Sequence, residues 1–200
     1  MQKILLFTDL HLKRNGNKII GIDPVERFQN GLAHALANHS DADHLIILGD
    51  LTHNGHMDEY RILAEILSTC PIPITMLLGN HDRRENFTAT FPDHPKTSAG
   101  FIQTSFQLGQ HHLITLDTLK DPYARTEHWG KLCQTRRAWL DQTLAKTGGE
   151  PVLIFMHHPP FNVGFPGMDV IKLNDGDKFL ADLNKHPNDC LLYTSDAADD

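Results

Sequence analysis

Short, continuous apolar runs alternate along the chain with stretches in which apolar residues recur every three or four positions. Lys3–Phe7 (KILLF), His44–Leu48 (HLIIL) and Pro73–Leu78 (PITMLL) are runs of strand length, the pattern of strands covered on both faces. Asp23 before Pro24 reads as a helix N-cap followed by a first-turn proline, and Val25, Phe28, Leu32, Ala35 and Leu36 then repeat at helical spacing. Tyr60, Leu63, Ala64 and Leu67 mark a second helix with one apolar face. Near Gly100 the pattern changes. FIQTSFQL and HHLITLD flank Gly109 and Gln110, and glycine at the first turn position predicts a type II′ hairpin. Trp139, Leu140, Thr143 and Leu144 predict a helix closed by Gly148 and Gly149, Pro151–Met156 (PVLIFM) a further buried strand, and Phe179, Leu180 and Leu183 a last helix. This alternation predicts an α/β fold, rich in parallel strands, with an antiparallel addition.

Composition and charge narrow the picture. With 40% hydrophobic and 22% charged residues among 200, the chain fits one folded domain with a sizeable core. The formal charge of −7 argues against a phosphate-backbone footprint, so no nucleic-acid partner is expected; small anionic substrates stay open because a bound metal reverses the local sign. The opening run MQKILLFTDLH is too short for a secretory signal and no later run reaches membrane length, which points to a cytoplasmic protein without a membrane partner. Three cysteines, an odd count without metal-like spacing, argue against a disulfide framework.

The candidate chemistry lies where the apolar runs stop. Asp9 and His11 follow the first, Asp50 the second, Asn80 and His81 the third, and His157 the run at Pro151–Met156. Open α/β sheets gather their ligands at such carboxyl ends. Each residue alone has a plainer explanation: aspartate and histidine cap turns, Asn80 suits a left-handed turn, and Gly49 or Gly79 serves the backbone. Their coincidence on four successive strand ends is what outweighs that. Oxygen ligands mixed with imidazoles suit two divalent transition-metal ions of the Mn²⁺, Fe²⁺, Zn²⁺ or Co²⁺ type, with a carboxylate able to bridge them.

The motifs DLH (9–11), GD (49–50), GNHD (79–82) and MHHPP (156–160), in this order, resemble the calcineurin-like metallophosphoesterase superfamily. GDLTHNG (49–55) and IFMHHPP with GMD (167–169) are most similar to its class III cyclic-nucleotide phosphodiesterase and glycerophosphodiesterase branch. The resemblance implies a four-layer α/β/β/α sandwich, incomplete at the C-terminus, with residues 1–189 as the catalytic domain. It implies Asp9 and His11 as ligands of one metal, Asp50 as the bridge, Asn80 and His157 as ligands of the other, and Asn80 and His81 against the substrate. His81 then stands as the non-ligand catalytic group, and a hydroxide between the ions attacks the phosphorus of a small phosphodiester such as a cyclic nucleotide or glycerophosphodiester. Asp82 is expected to orient a neighbour, His158 to support the loop, and His53, His56, His111 and His112 to belong to surface or packing. The competing readings are a phosphomonoesterase or nuclease of the same superfamily, and a non-catalytic interaction scaffold.

The superfamily's last motif, GHxH, is missing from the sequence, which instead reads CLLYTSDAADD from Cys190 to Asp200. This segment resembles a translated transposase-end sequencing adapter, so residues 190–200 are expected to be a non-native tail on a truncated domain with an impaired site. Without Asp196, Asp199 and Asp200 the formal charge moves from −7 to −4, still acidic. Cys190–Tyr193 is apolar enough to imitate the lost strand beside VLIFM, a register that puts Asp196 near His157 and Ala198 at the place of the last histidine.

Overall fold

The computed structural model describes residues 2–14, 16–120, 127–186 and 190–195. It is a mixed α/β protein with two sheets, and the chain divides into two compact units, residues 1–94 and 95–200.

In the first unit, strands β1 (Ile4–Phe7), β2 (His44–Ile47) and β3 (Ile74–Met76) form a parallel sheet in the order β1-β2-β3. The register pairs Leu5 with Leu45 and Leu45 with Ile74. The middle strand is buried along its whole length, which is why it reads as an unbroken apolar run. Helix α1 (Pro24–Asn38) starts as expected: the Asp23 carboxylate accepts from Val25 N at 2.9 Å, and Val25, Phe28 and Leu32 are buried. Helix α2 (Met57–Leu67) buries Tyr60, Leu63 and Leu67. Helix α3 (Arg84–Thr90) has no counterpart in the apolar pattern, because in seven residues it buries Phe87 alone.

The second unit holds β4 (Thr104–Leu108), β5 (His111–Thr115), β6 (Val152–Phe155) and β7 (Cys190–Tyr193) in the order β4-β5-β6-β7. The β4–β5 pair is antiparallel and pairs Leu108 with His111 around Gly109 and Gln110. Gly109 has φ +60° while Gln110 is not among the residues of positive φ, the type II′ pattern the sequence predicts. The other pairings are parallel. Ile114, Leu116, Ile154, Met156 and Val152 pack with Leu140 and Leu144 of α4 (Gln134–Leu144) and Phe179 of α6 (Gly176–Leu183), after the short α5 (Pro166–Asp169). Strand β7 pairs with β6 as the tail register anticipates, Val152 with Cys190 and Phe155 with Tyr193, and Ser195 N donates to His157 O at 3.1 Å. Asp196 and Ala198 lie outside the described residues.

One feature of this unit is invisible in the sequence. Arg136 on α4 is 1% exposed and stacks over the Phe101 ring at 4.5 Å. Its Nη1 donates to the carbonyls of Asp117 and Leu119 at 2.7 and 2.8 Å. The buried Asp117 carboxylate accepts from Ile102 N and Leu119 N and lies 3.6 Å from the guanidinium.

Candidate metal centre

Two loops leave the parallel sheet side by side. Asp9 N donates to Gly49 O at 3.2 Å, His11 N to Asp50 O at 2.9 Å, Leu12 N to Leu51 O at 3.1 Å, and His53 N to Leu12 O at 3.0 Å. The segment after β1 is thereby zipped onto the segment after β2, and their side chains converge. Among the described residues, four that are not glycine have positive φ: Asp9 (+53°), His11 (+45°), Asp50 (+47°) and Ile20. Three of these four are residues picked out at strand ends, and Asn80, for which a left-handed turn was the plainer reading, is not one of them. A left-handed backbone costs about 1–3 kcal/mol at a non-glycine residue and persists only where its surroundings enforce it. The ladder of hydrogen bonds between the two loops is what enforces it here.

The resulting side-chain geometry is that of a donor set. Ligand atoms of Asp9, His11 and Asp50 lie within 4.8 Å of one another. His11 Nε2 stands 3.6 Å from Asp50 Oδ2 and 3.9 Å from Asp9 Oδ1, longer than hydrogen bonds. Two atoms ligating one ion are separated by about 3–3.5 Å when each bond is near 2.1 Å, so small side-chain adjustments suffice. Two carboxylates with an imidazole match divalent transition metals in chemistry as well as spacing. Asp50, 0% exposed, also accepts from His81 N at 2.9 Å, which ties the bridge candidate to the loop after β3.

Asp82 fastens the β2 and β3 loops. It is fully buried; its Oδ2 accepts from Leu51 N and Gly79 N, and its Oδ1 from Thr52 N, Thr52 Oγ1 and Tyr60 OH, at 2.9–3.2 Å. Burial, and then the charge of Asp50, push its carboxyl up to about 6 against the pull of those donors. Tyr60 continues the chain of bonds by accepting from Arg83 N at 2.8 Å. This is the orienting role expected of Asp82. Gly55 is required nearby: at φ +69°, a Cβ there would meet Arg83 Cγ at 2.5 Å and His81 O at 3.1 Å.

His81 sits at the same cluster. Its Nδ1 lies 2.8 Å from His53 O, and since a carbonyl only accepts, Nδ1 carries a proton. His53, expected in a surface or packing role, stands at the same cluster: ring nitrogens of His11, His53 and His81 lie within 4.8 Å of one another. Burial, followed by Lys13, His81 and His11, lowers the His53 pKa. The sequence hides this because His53 is brought in by the Leu12 and Thr52 loop contacts, between segments some forty positions apart. His56 is the N-cap residue of α2, and His111 and His112 lie in β5 of the second unit.

The remaining predicted residues are buried strand-end groups. Asn80 (7% exposed) follows β3 in the first unit, and His157 (5% exposed) follows β6 in the second. His158 is a support: its Nε2 donates to His128 O at 3.1 Å and its Nδ1 accepts from Thr118 Oγ1 at 2.7 Å. Burial, and then His157, lower its pKa well below the ordinary histidine value. Its ring stands edge-on to His157 at 4.8 Å and leaves room for glycine only at position 130, where a Cβ would lie 2.4 Å from His158 Cγ.

Comparison with known proteins gives this geometry a family. The profile of the calcineurin-like phosphoesterases matches residues 2–192. A protein of Rhodopseudomonas palustris named a probable cyclic nucleotide phosphodiesterase is 39% identical over 176 residues, covering 88% of this chain and 64% of that protein. One of Arcobacter nitrofigilis named a probable glycerophosphodiester phosphodiesterase, GpdQ, is 28% identical over 187 residues, covering 90% of this chain and 65% of that one. The chain thus spans less than two thirds of the length of either relative. Among solved structures, purple acid phosphatase PPD1 from yellow lupin seeds superposes with a TM-score of 0.56 at 16% identity, over 80% of this chain and 30% of that one, a likeness of fold. With a profile match over nearly its whole length and the strand-end motifs in place, the chain belongs to the calcineurin-like phosphoesterase family.

Proposed function

We propose that this chain is the metal-holding part of a phosphodiesterase that hydrolyses small phosphodiesters, cyclic nucleotides or glycerophosphodiesters, in the cytoplasm. The observation that carries the reading is the Asp9, His11 and Asp50 cluster, built on three left-handed residues clamped by two adjoining loops. Asp9 and His11 would hold one divalent transition-metal ion (Mn, Fe, Zn or Co), Asn80 and His157 a second, and Asp50 would serve both. When bound, such ions neutralise phosphoryl charge and bring the pKa of water into the neutral range. The chain's own contribution is placement. Asp82 fixes the two loops that carry Asp50 and His81, so neither has to be ordered when substrate arrives. With Nδ1–H committed to the His53 carbonyl, His81 meets the substrate through Nε2 and, when doubly protonated, gives that proton to the leaving alkoxide. Asn80 adds a side-chain amide beside it.

The names of the relatives support phosphodiesters as the substrate class. The acidic balance, 25 Asp and Glu against 18 Lys and Arg, supports a small substrate rather than nucleic acid. No helix among the described residues is long and apolar enough to cross a membrane, and three cysteines, an odd count without metal-like spacing, suit a reducing compartment. The test is turnover of cyclic nucleotides, glycerophosphodiesters and phosphomonoesters by chelated and metal-reconstituted protein. Slow diester hydrolysis, in keeping with a site that lacks the GHxH histidines, is expected to vanish on chelation and return with Mn²⁺; chelator-resistant turnover, or a preference for monoesters, overturns the reading.

A further inference from the structure

We infer that His53 is a substrate-binding residue, donating a hydrogen bond to the phosphoryl group alongside His81. The inference rests on the phosphodiesterase reading above and names a contact that reading does not use. The three rings of His11, His53 and His81 cluster, His11 edge-on to the other two, with centroids 4.7 Å apart for His11–His81, 5.3 Å for His53–His81 and 5.5 Å for His11–His53. Because nitrogens of all three lie within 4.8 Å, a group met by His81 is also within reach of His53, and two oxygens of one phosphoryl group can span them.

The position is held rigidly, as a binding group must be. His53 N donates to Leu12 O; on one side Thr52 is fastened to Asp82 through N and Oγ1, at 3.2 Å each. On the other, Asn54 N and His56 N both donate to the buried Glu59 carboxylate, at 3.0 and 3.1 Å, and Gly55 N to Thr52 Oγ1 at 3.1 Å. The loop is thus tied at Thr52, Asn54, Gly55 and His56, while the imidazole they carry has a different status. His53 Nδ1 is buried and has no hydrogen-bond partner among the described residues. A packing histidine in so well-bonded a loop would have its ring nitrogens matched, as His158 has. An orphaned ring nitrogen beside His81 is instead what a ligand-facing group leaves behind.

The experiment compares wild type with His53→Phe, His53→Asn and His53→Ala, each reconstituted with Mn²⁺. The readouts are metal content, thermal midpoint, calorimetric affinity for inorganic phosphate, and KM and kcat for bis(p-nitrophenyl) phosphate. A lost hydrogen bond to a charged phosphoryl group should weaken phosphate binding and raise KM by about tenfold in His53→Phe and His53→Ala, with metal content and kcat nearly kept. His53→Asn, which keeps a donor but not the ring, should recover part of the loss, whereas a packing role would make Phe the better replacement. Wild-type affinity and KM in His53→Phe overturn the inference, and so does loss of metal from all three variants, which would make His53 a ligand instead. A wild type that binds Mn²⁺ yet neither binds phosphate nor hydrolyses the diester removes the phosphodiesterase reading itself, and this inference with it.

Discussion

Replacing Tyr60 by phenylalanine removes one oxygen atom from a fully buried site and changes neither charge nor ring shape. That hydroxyl donates to Asp82 Oδ1 at 2.9 Å and accepts from Arg83 N at 2.8 Å. Burial, and then the charge of Asp82, push the Tyr60 pKa well above the ordinary tyrosine value, so the group stays a neutral donor at any working pH. Deleting it costs one net hydrogen bond at the carboxylate and strands the Arg83 N–H; at about 1 kcal/mol for the first and 1–3 kcal/mol for the second, the sum is roughly 2–4 kcal/mol. The ring stays packed on Phe87, 6.0 Å between centroids, so no cavity adds to the figure. For a chain of this length the thermal midpoint should fall by about 4–16 °C. Urea unfolding followed by circular dichroism is the assay, with Tyr193→Phe, whose side chain is partly exposed, as a control expected to stay within about 0.5 kcal/mol of wild type. If Tyr60→Phe unfolds at the wild-type midpoint with an unchanged denaturant slope, the bonds around Asp82 do not fasten the two loops and the account of how Asp50 and His81 are placed is wrong.

Arg136→Ala should destabilise the second unit by about 3–5 kcal/mol, since it takes the guanidinium away from the buried Asp117 carboxylate; Arg136 is 1% exposed, and proteolytic susceptibility together with thermal unfolding measures the loss. His44, 8% exposed with Nε2 at 2.9 Å from Thr75 Oγ1, has its pKa lowered by burial. Its folded form resists protonation, so it imposes nothing above the unfolded value near 6.5 and costs stability as pH falls below it. The unfolding free energy of His44→Phe relative to wild type should therefore be flat above about pH 7 and move in the variant's favour by up to about 1.4 kcal/mol per unit below 6.5, read from urea curves at pH 5 to 8. A flat difference across the whole range would show that His44 is protonated as easily folded as unfolded.

What was legible in the sequence was whatever depends on neighbours along the chain. The buried strands announce themselves because a parallel strand covered on both faces is apolar at every position, as in His44–Ile47. Their ends are then marked by the first polar residues, which is how Asp9, His11, Asp50, Asn80, His81 and His157 could be singled out. Helix α1 carries its own start signal in Asp23 and Pro24. Helix α3 does not, because a single buried aromatic has no period. Arg136 looks like a solvated helix residue in QTRRAWLDQTL, and only the fold supplies the Asp117 and Leu119 carbonyls and the Phe101 face that let it be buried. His53 was lost among fourteen histidines for the same reason: its neighbours His11 and His81 come from loops after two other strands. The strand at Cys190–Tyr193 shows the converse, an apolar tetrapeptide long enough to complete a ladder with β6.

The central claim is that Asp50 anchors a pair of metal ions at the strand ends, and electron paramagnetic resonance of the chain titrated with Mn²⁺ tests it most directly. Wild type should develop the signal of an exchange-coupled manganese pair as the second equivalent binds, and Asp50→Asn only that of isolated ions at weaker affinity. A wild-type chain whose manganese remains uncoupled at saturation, or an Asp50→Asn variant that keeps the coupled signal, would contradict the account.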